Sequence, residues 1–153
     1  MNAPSRLAEV TPQTIEFKLD GKTVHAFEGE TIFKVAERHG IAIPHLCYKD
    51  GYRADGNCRA CVVEVKGERV LAPSCCRSAT PGMEVQASNE RALKSQQMVL
   101  EMLLSDMPDT GYKWNETDES LQHGELSEWA DRLEVSVRPQ LKSMRREQPR
   151  ADI

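Results

Sequence analysis

From Thr14 the chain alternates apolar and polar residues, TIEFKLDGKTVHAF, so that Ile15, Phe17 and Leu19 share one face. A period of two belongs to a half-buried strand. Asp20-Gly21 is a two-residue turn signal in the middle of the run, and the stretch predicts a β-hairpin that returns through Val24 and Ala26. The period then changes. In EGETIFKVAERHG, apolar Ile32, Val35 and Ala36 fall at helical spacing, with a cap at Glu30 or Thr31 and Gly40 where a helix C-terminus closes. Residues 44–60 read as loop, because Pro44, Gly51, Asp55 and Gly56 interrupt any periodicity. CVVEVKGERVLAPSC predicts two short strands around Lys66-Gly67, and GMEVQA one more after Pro81-Gly82. The order β-β-α-loop-β-β-β suits a small mixed sheet with the helix across one face, an α+β architecture with the loop at one end.

SNERALKSQQMVLEMLLSD, residues 88–106, carries the strongest helical pattern. Ser88 or Asn89 caps it, Pro108 ends it, and Leu93, Gln97, Leu100 and Leu104 form the expected stripe, with Met98, Met102 and Leu103 nearby. Beyond it, DTGYKWNETDESLQHG reads as a polar linker, and ELSEWADRLEV as two to three helical turns with Leu126, Trp129 and Leu133 inward. The basic, proline-containing SVRPQLKSMRREQPRADI is expected to lack structure unless a partner holds it. The organisation is therefore a loose N-terminus over 1–13, a domain over 14–88, a packing helix over 89–106, and a linker, short helix and basic tail over 107–153.

At 153 residues the chain accommodates one domain plus appendages, and with 39% hydrophobic and only 5% aromatic residues part of it buries little surface. A net charge of -4 offers no electrostatic reason for nucleic acid or an anionic membrane as main partner, which leaves proteins. No apolar run has the length of a signal or a membrane span, so the reading is soluble and cytoplasmic. No P-loop, G-x-G-x-x-G fingerprint or nucleophile–base arrangement occurs, so the chain by itself is expected to bind no NAD or small-molecule substrate and to catalyse no bond chemistry.

The chemistry lies in the cysteines. All five fall between residues 47 and 76, spaced C-x10-C-x2-C-x13-C with one more at the end. In a reducing compartment an odd, clustered set argues for metal binding or thiol chemistry rather than disulfides. Four soft thiolates suit tetrahedral zinc or an iron–sulfur cluster. Zinc usually takes two short knuckles, yet only Cys58 and Cys61 form one, while Cys47 and Cys75 approach singly, as a wider two-iron core needs. Gly51 and Gly56 allow close backbone approach and main-chain N–H bonds to sulfur. Arg53 and Arg59 are candidates to offset the charge of such a cluster or to be simply solvated, and His45 is a candidate donor to it. His25, His39 and His123 give no sign of a site.

The segment IPHLCYKDGYRADGNCRACVVEVKGERVLAPSCCRSATPGMEV resembles the N-terminal [2Fe-2S] domain shared by three proteins: the large iron–sulfur subunit of complex I, the small diaphorase subunit of NAD-linked hydrogenases, and the alpha subunit of soluble NAD-linked, molybdenum-dependent formate dehydrogenases. The likeness covers about residues 14 to 105. It implies a ferredoxin-like β-grasp fold and one [2Fe-2S] cluster on Cys47, Cys58, Cys61 and Cys75, with Cys76 a spare thiol; the runner-up exchanges Cys75 and Cys76. Complex I relatives follow the long helix with a His, preceding a Pro, and three Cys that hold a [4Fe-4S] cluster. Here Met107 stands at the His position and no cysteine follows Cys76, so one cluster is the limit. LLSDMPDTGYKWN and HGELSEWADRL are most similar to the formate dehydrogenase subunit, of which the chain looks like the leading segment. The implied role is a one-electron carrier that works with other subunits or domains of a multi-cofactor oxidoreductase. The alternatives are a free-standing ferredoxin, a structural zinc module for protein interaction, and a thiol sensor using Cys75 and Cys76.

Overall fold

The computed structural model describes residues 13–107 and 124–145. Strand β1 (Thr14–Leu19) and β2 (Lys22–Phe27) form the hairpin, in register from Thr14 opposite Phe27 to Leu19 opposite Lys22. Asp20 and Gly21 both take positive φ, 48° and 78°, as the twist-matched two-residue turn requires. Helix α1 (Ile32–Arg38) follows, capped by Thr31, whose hydroxyl accepts the Lys34 N–H. It closes at Gly40, φ 71°, with Ile41 N–H on the Ala36 carbonyl and Gly40 N–H on Glu37.

After the cysteine loop come β3 (Val62–Val65), β4 (Ala72–Pro73) and β5 (Glu84–Gln86). They complete a five-stranded mixed sheet, order β2-β1-β5-β3-β4, with β5 parallel to β1 and the other pairings antiparallel. This is the α+β, ferredoxin-like fold expected. The second strand of the Lys66-Gly67 hairpin is shorter and later than its apolar content implies. Pro73 has no N–H to donate, which restricts it to a brief edge strand.

Phe17, Leu19, Val24 and Ala26 turn inward from the hairpin to meet Ile32, Phe33, Val35 and Ala36 of α1 and Val63, Val65 and Val85 of the sheet, all in one buried core. On β3 the neighbouring Val62 is also buried, because a second helix, α2 (Glu90–Asp106), packs on the other side. Asn89 caps α2 by accepting the Ala92 N–H at 2.9 Å. The buried face of α2 is Ala92, Gln96, Leu100 and Glu101, so the expected stripe is corrected: Leu100 keeps its place, but Gln97 is exposed. Gln96 is inside because its amide donates to two carbonyls, Val62 at 2.9 Å and Ala87 at 3.2 Å, and a residue so satisfied can be buried although it is polar.

The C-terminal part is less irregular than its composition implies. Helix α3 (Glu125–Arg132) packs on α2 with Ala130 buried and Leu126, Trp129 and Leu133 half-buried. A short α4 (Pro139–Ser143) forms inside the stretch expected to lack structure. What orders it is polar: the Arg138 backbone N–H and guanidinium both donate to Glu101, at 3.0 and 2.8 Å, and Arg145 donates to the Ser105 carbonyl at 2.8 Å. The N-terminus over 1–12, most of the polar linker with His123, and the tail beyond Arg145 lie outside the described residues.

Candidate metal centre

Residues 44–61 lead from α1 to β3 without helix or strand, with Ile43 and Pro44 buried at their start. The loop is tied to α1 by Lys34, which pairs with Asp50, and by Tyr48, whose hydroxyl donates to Asp50 at 3.0 Å and whose ring packs on Phe33. Cys47 and Cys58 are half-buried, and the Cys58 N–H donates to the Cys47 sulfur at 3.5 Å. Burial alone raises the Cys58 thiol. It is outweighed by backbone hydrogen bonds from Ala60, Cys47 and Leu46, and by the Cys47 side chain, so that Cys58 falls below the ordinary thiol range.

Cys61 and Cys75 are buried as a second pair. Burial pushes the Cys75 thiol well up, and the charge and hydrogen bond of Cys61 push it further, with Cys76 adding to this. Ser74 fixes this pair: its N–H and hydroxyl both donate to the Cys61 carbonyl, at 3.0 and 2.7 Å, and its own carbonyl accepts the Phe33 N–H at 3.1 Å. With the Arg77 carbonyl accepting the Ile32 N–H, the 74–77 turn uses amides of the first turn of α1 that the helix itself leaves unpaired.

Cys76 is exposed. Its sulfur lies 3.6 Å from both the Ala54 carbonyl oxygen and the Cys75 sulfur. It also explains Gly56, which is buried at φ 64°: a Cβ there would come within 2.9 Å of the Cys76 sulfur. Gly51, by contrast, is needed only for its φ of 83°, since a Cβ would meet open space. Arg53 is a surface residue paired with Asp55 at 3.4 Å, and Arg59 is exposed. Arg59 matters through its backbone: at φ 59° it is left-handed without being glycine, and it turns the knuckle so that the next amide, Ala60, bonds Cys58. The His45 Nδ1 faces the Ile43 carbonyl at 3.0 Å rather than a cysteine. Its ring sits among Phe33, Tyr48 and Trp129. Ser74, the Arg59 backbone and Trp129 carry no motif signal; only a fold brings them here.

A five-stranded mixed sheet packed with α1, with a cysteine-bearing loop between α1 and β3, is the architecture of a ferredoxin-type iron–sulfur protein. The chain belongs to the family described as the 2Fe-2S iron-sulfur cluster binding domain, which matches residues 12–90, and its cofactor is a [2Fe-2S] cluster. It is 45% identical over 95 residues to the NADP-reducing hydrogenase subunit HndD of Solidesulfovibrio fructosivorans, covering 59% of this chain and 16% of that protein. It is 40% identical over 103 residues to the mitochondrial NADH-ubiquinone oxidoreductase 78 kDa subunit of Candida albicans, covering 67% and 14%. A solved structure, the NAD+-reducing [NiFe]-hydrogenase in the H2-reduced state, superposes with a TM-score of 0.71 at 26% identity over 90% of this chain and 54% of that one. The chain thus spans a small fraction of these curated relatives' length. Among the described residues, no helix is long and apolar enough to cross a membrane.

Proposed function

We propose that this chain is a one-electron relay module, its [2Fe-2S] cluster held by Cys47, Cys58, Cys61 and Cys75 and working between neighbouring cofactors of a larger NAD-linked oxidoreductase. The observation that carries the reading is the match of residues 12–90 to the 2Fe-2S cluster binding family, and it is supported by the Cys58 N–H, which donates to the Cys47 sulfur at 3.5 Å. Cys75 is taken over Cys76 because it is buried, whereas Cys76 is exposed with its sulfur 3.6 Å from the Ala54 carbonyl oxygen.

When bound, the cluster supplies reversible one-electron exchange. The chain sets its surroundings. Backbone amides of Leu46, Cys47 and Ala60 aimed at Cys58 stabilise negative charge on that sulfur. Burial of Cys61 and Cys75 excludes water from those two sulfurs, while Cys47 and Cys58 are half-buried. Cys75, which holds its proton tightly, must release it when ligated.

For the larger assembly we take formate dehydrogenase, on the resemblance of LLSDMPDTGYKWN and HGELSEWADRL to its alpha subunit. The relatives' names, a hydrogenase subunit and an NADH-ubiquinone oxidoreductase subunit, support the coarser class. The test is to purify the tagged chain with its natural partners and add formate or hydrogen in turn under anaerobic conditions. Bleaching of the cluster by formate is expected; bleaching by hydrogen alone would replace formate dehydrogenase with a hydrogenase.

A further inference from the structure

Far along the chain from the cysteine loop, α3 brings the Trp129 ring to 5.5 Å from the His45 ring, inclined at 62°. His45 stands two residues before Cys47 and is already fixed by the Ile43 carbonyl and by Phe33, 4.7 Å away between ring centres. Trp129 is fixed separately. The Arg132 guanidinium sits 4.9 Å over its ring, Gln97 of α2 donates to the Leu133 carbonyl at 3.0 Å, and Glu101 holds Arg138. Two independently anchored elements therefore meet ring to ring at His45, two residues along the chain from the half-buried Cys47.

We propose that α3 is a cover on the Cys47 side of the cluster, and that Trp129 is a positioning residue which keeps water from His45 and the Cys47 sulfur and so lowers the reduction potential. The proposal rests on the reading of Cys47 as a ligand. A reduced cluster carries one more negative charge than an oxidised one, and water stabilises that charge better than an indole ring does. Uncovering the site therefore favours the reduced form.

The test uses the full chain, cluster-loaded, titrated by electron paramagnetic resonance with iron assayed on the same samples. W129A is expected to keep its iron and shift to a less negative potential, by several-fold in the reduction equilibrium; a tenfold change is 59 mV for one electron. W129F, which keeps an aromatic cover, is expected to stay near the parent. Because W129A could also lose its cluster, W114F provides a second readout, leaving Trp129 as the sole tryptophan of the two. Its emission is expected to be quenched in loaded protein and to recover when the cluster is removed. An unmoved potential in iron-replete W129A, or bright Trp129 emission in loaded W114F, overturns the cover while leaving the ligand assignment standing. A parent chain that takes up no iron and sulfide overturns the assignment, and the cover with it.

Discussion

Gly56 offers a perturbation whose cost divides into two separable parts. Alanine there must hold φ 64°, which costs about 1–2 kcal/mol for an L-residue. Its methyl group would also lie 2.9 Å from the Cys76 sulfur, closer than real Cβ contacts come. Overpacking costs about 1–3 kcal/mol, and the low end applies because Cys76 is exposed and yields by turning about one torsion, giving up its contact with Ala54. The sum is about 2–3 kcal/mol, which lowers the apparent melting temperature of a domain this size by roughly 8 °C or more. The assay is loss of visible circular dichroism on heating at one scan rate, since unfolding with cluster loss is irreversible. C76A alone should keep its cluster and melt within a few degrees of the parent. G56A/C76A should recover the overpacking part and retain about 1–2 kcal/mol from the backbone. Unchanged melting of G56A, or a double variant no better than G56A, would refute the reasoning.

C75S is expected to bleach or destabilise the cluster while C76S leaves the visible spectrum intact; the reverse would exchange the two cysteines. C58S should also lose the native spectrum, because oxygen replaces a thiolate whose charge three backbone amides favour. Leu100 is fully buried on α2, and L100A should cost about 2–5 kcal/mol, read from equilibrium denaturation. Arg138 holds the Glu101 carboxyl below its ordinary value of 4.5, so this contact contributes fully above the pH where free glutamate titrates and is lost as pH falls through the lowered value. Amide resonances of residues 135–145 should report that detachment on acidification, and E101Q should lack the acid-dependent step.

Local chemistry was legible wherever one residue type decides a local geometry. Asp20-Gly21, the Thr31 cap, Gly40 and the Asn89 cap all stand where backbone and capping requirements put them. The clustering of the cysteines pointed to a metal centre, whereas the choice of Cys47, Cys58, Cys61 and Cys75 came from the family resemblance; the structure leaves Cys47 and Cys58 half-buried, buries Cys61 and Cys75, and exposes Cys76. Hydropathy misplaced the α2 face, because hydrogen bonds to Val62 and Ala87 carry a polar glutamine inside. It also missed the order of residues 136–145, which depends on the Arg138 and Arg145 contacts with α2 rather than on apolar content. Gly56 was legible as a close approach, but its neighbour Cys76 was not, since the two meet only once β4 and the turn after it are in place.

The central claim is that four cysteines hold a two-iron cluster, and anaerobically purified protein tests it directly by a visible spectrum with iron, sulfide and zinc assayed on one sample. Brown protein with about two irons and two sulfides per chain, bleaching on reduction, is the predicted result. Colourless protein containing one zinc would contradict it.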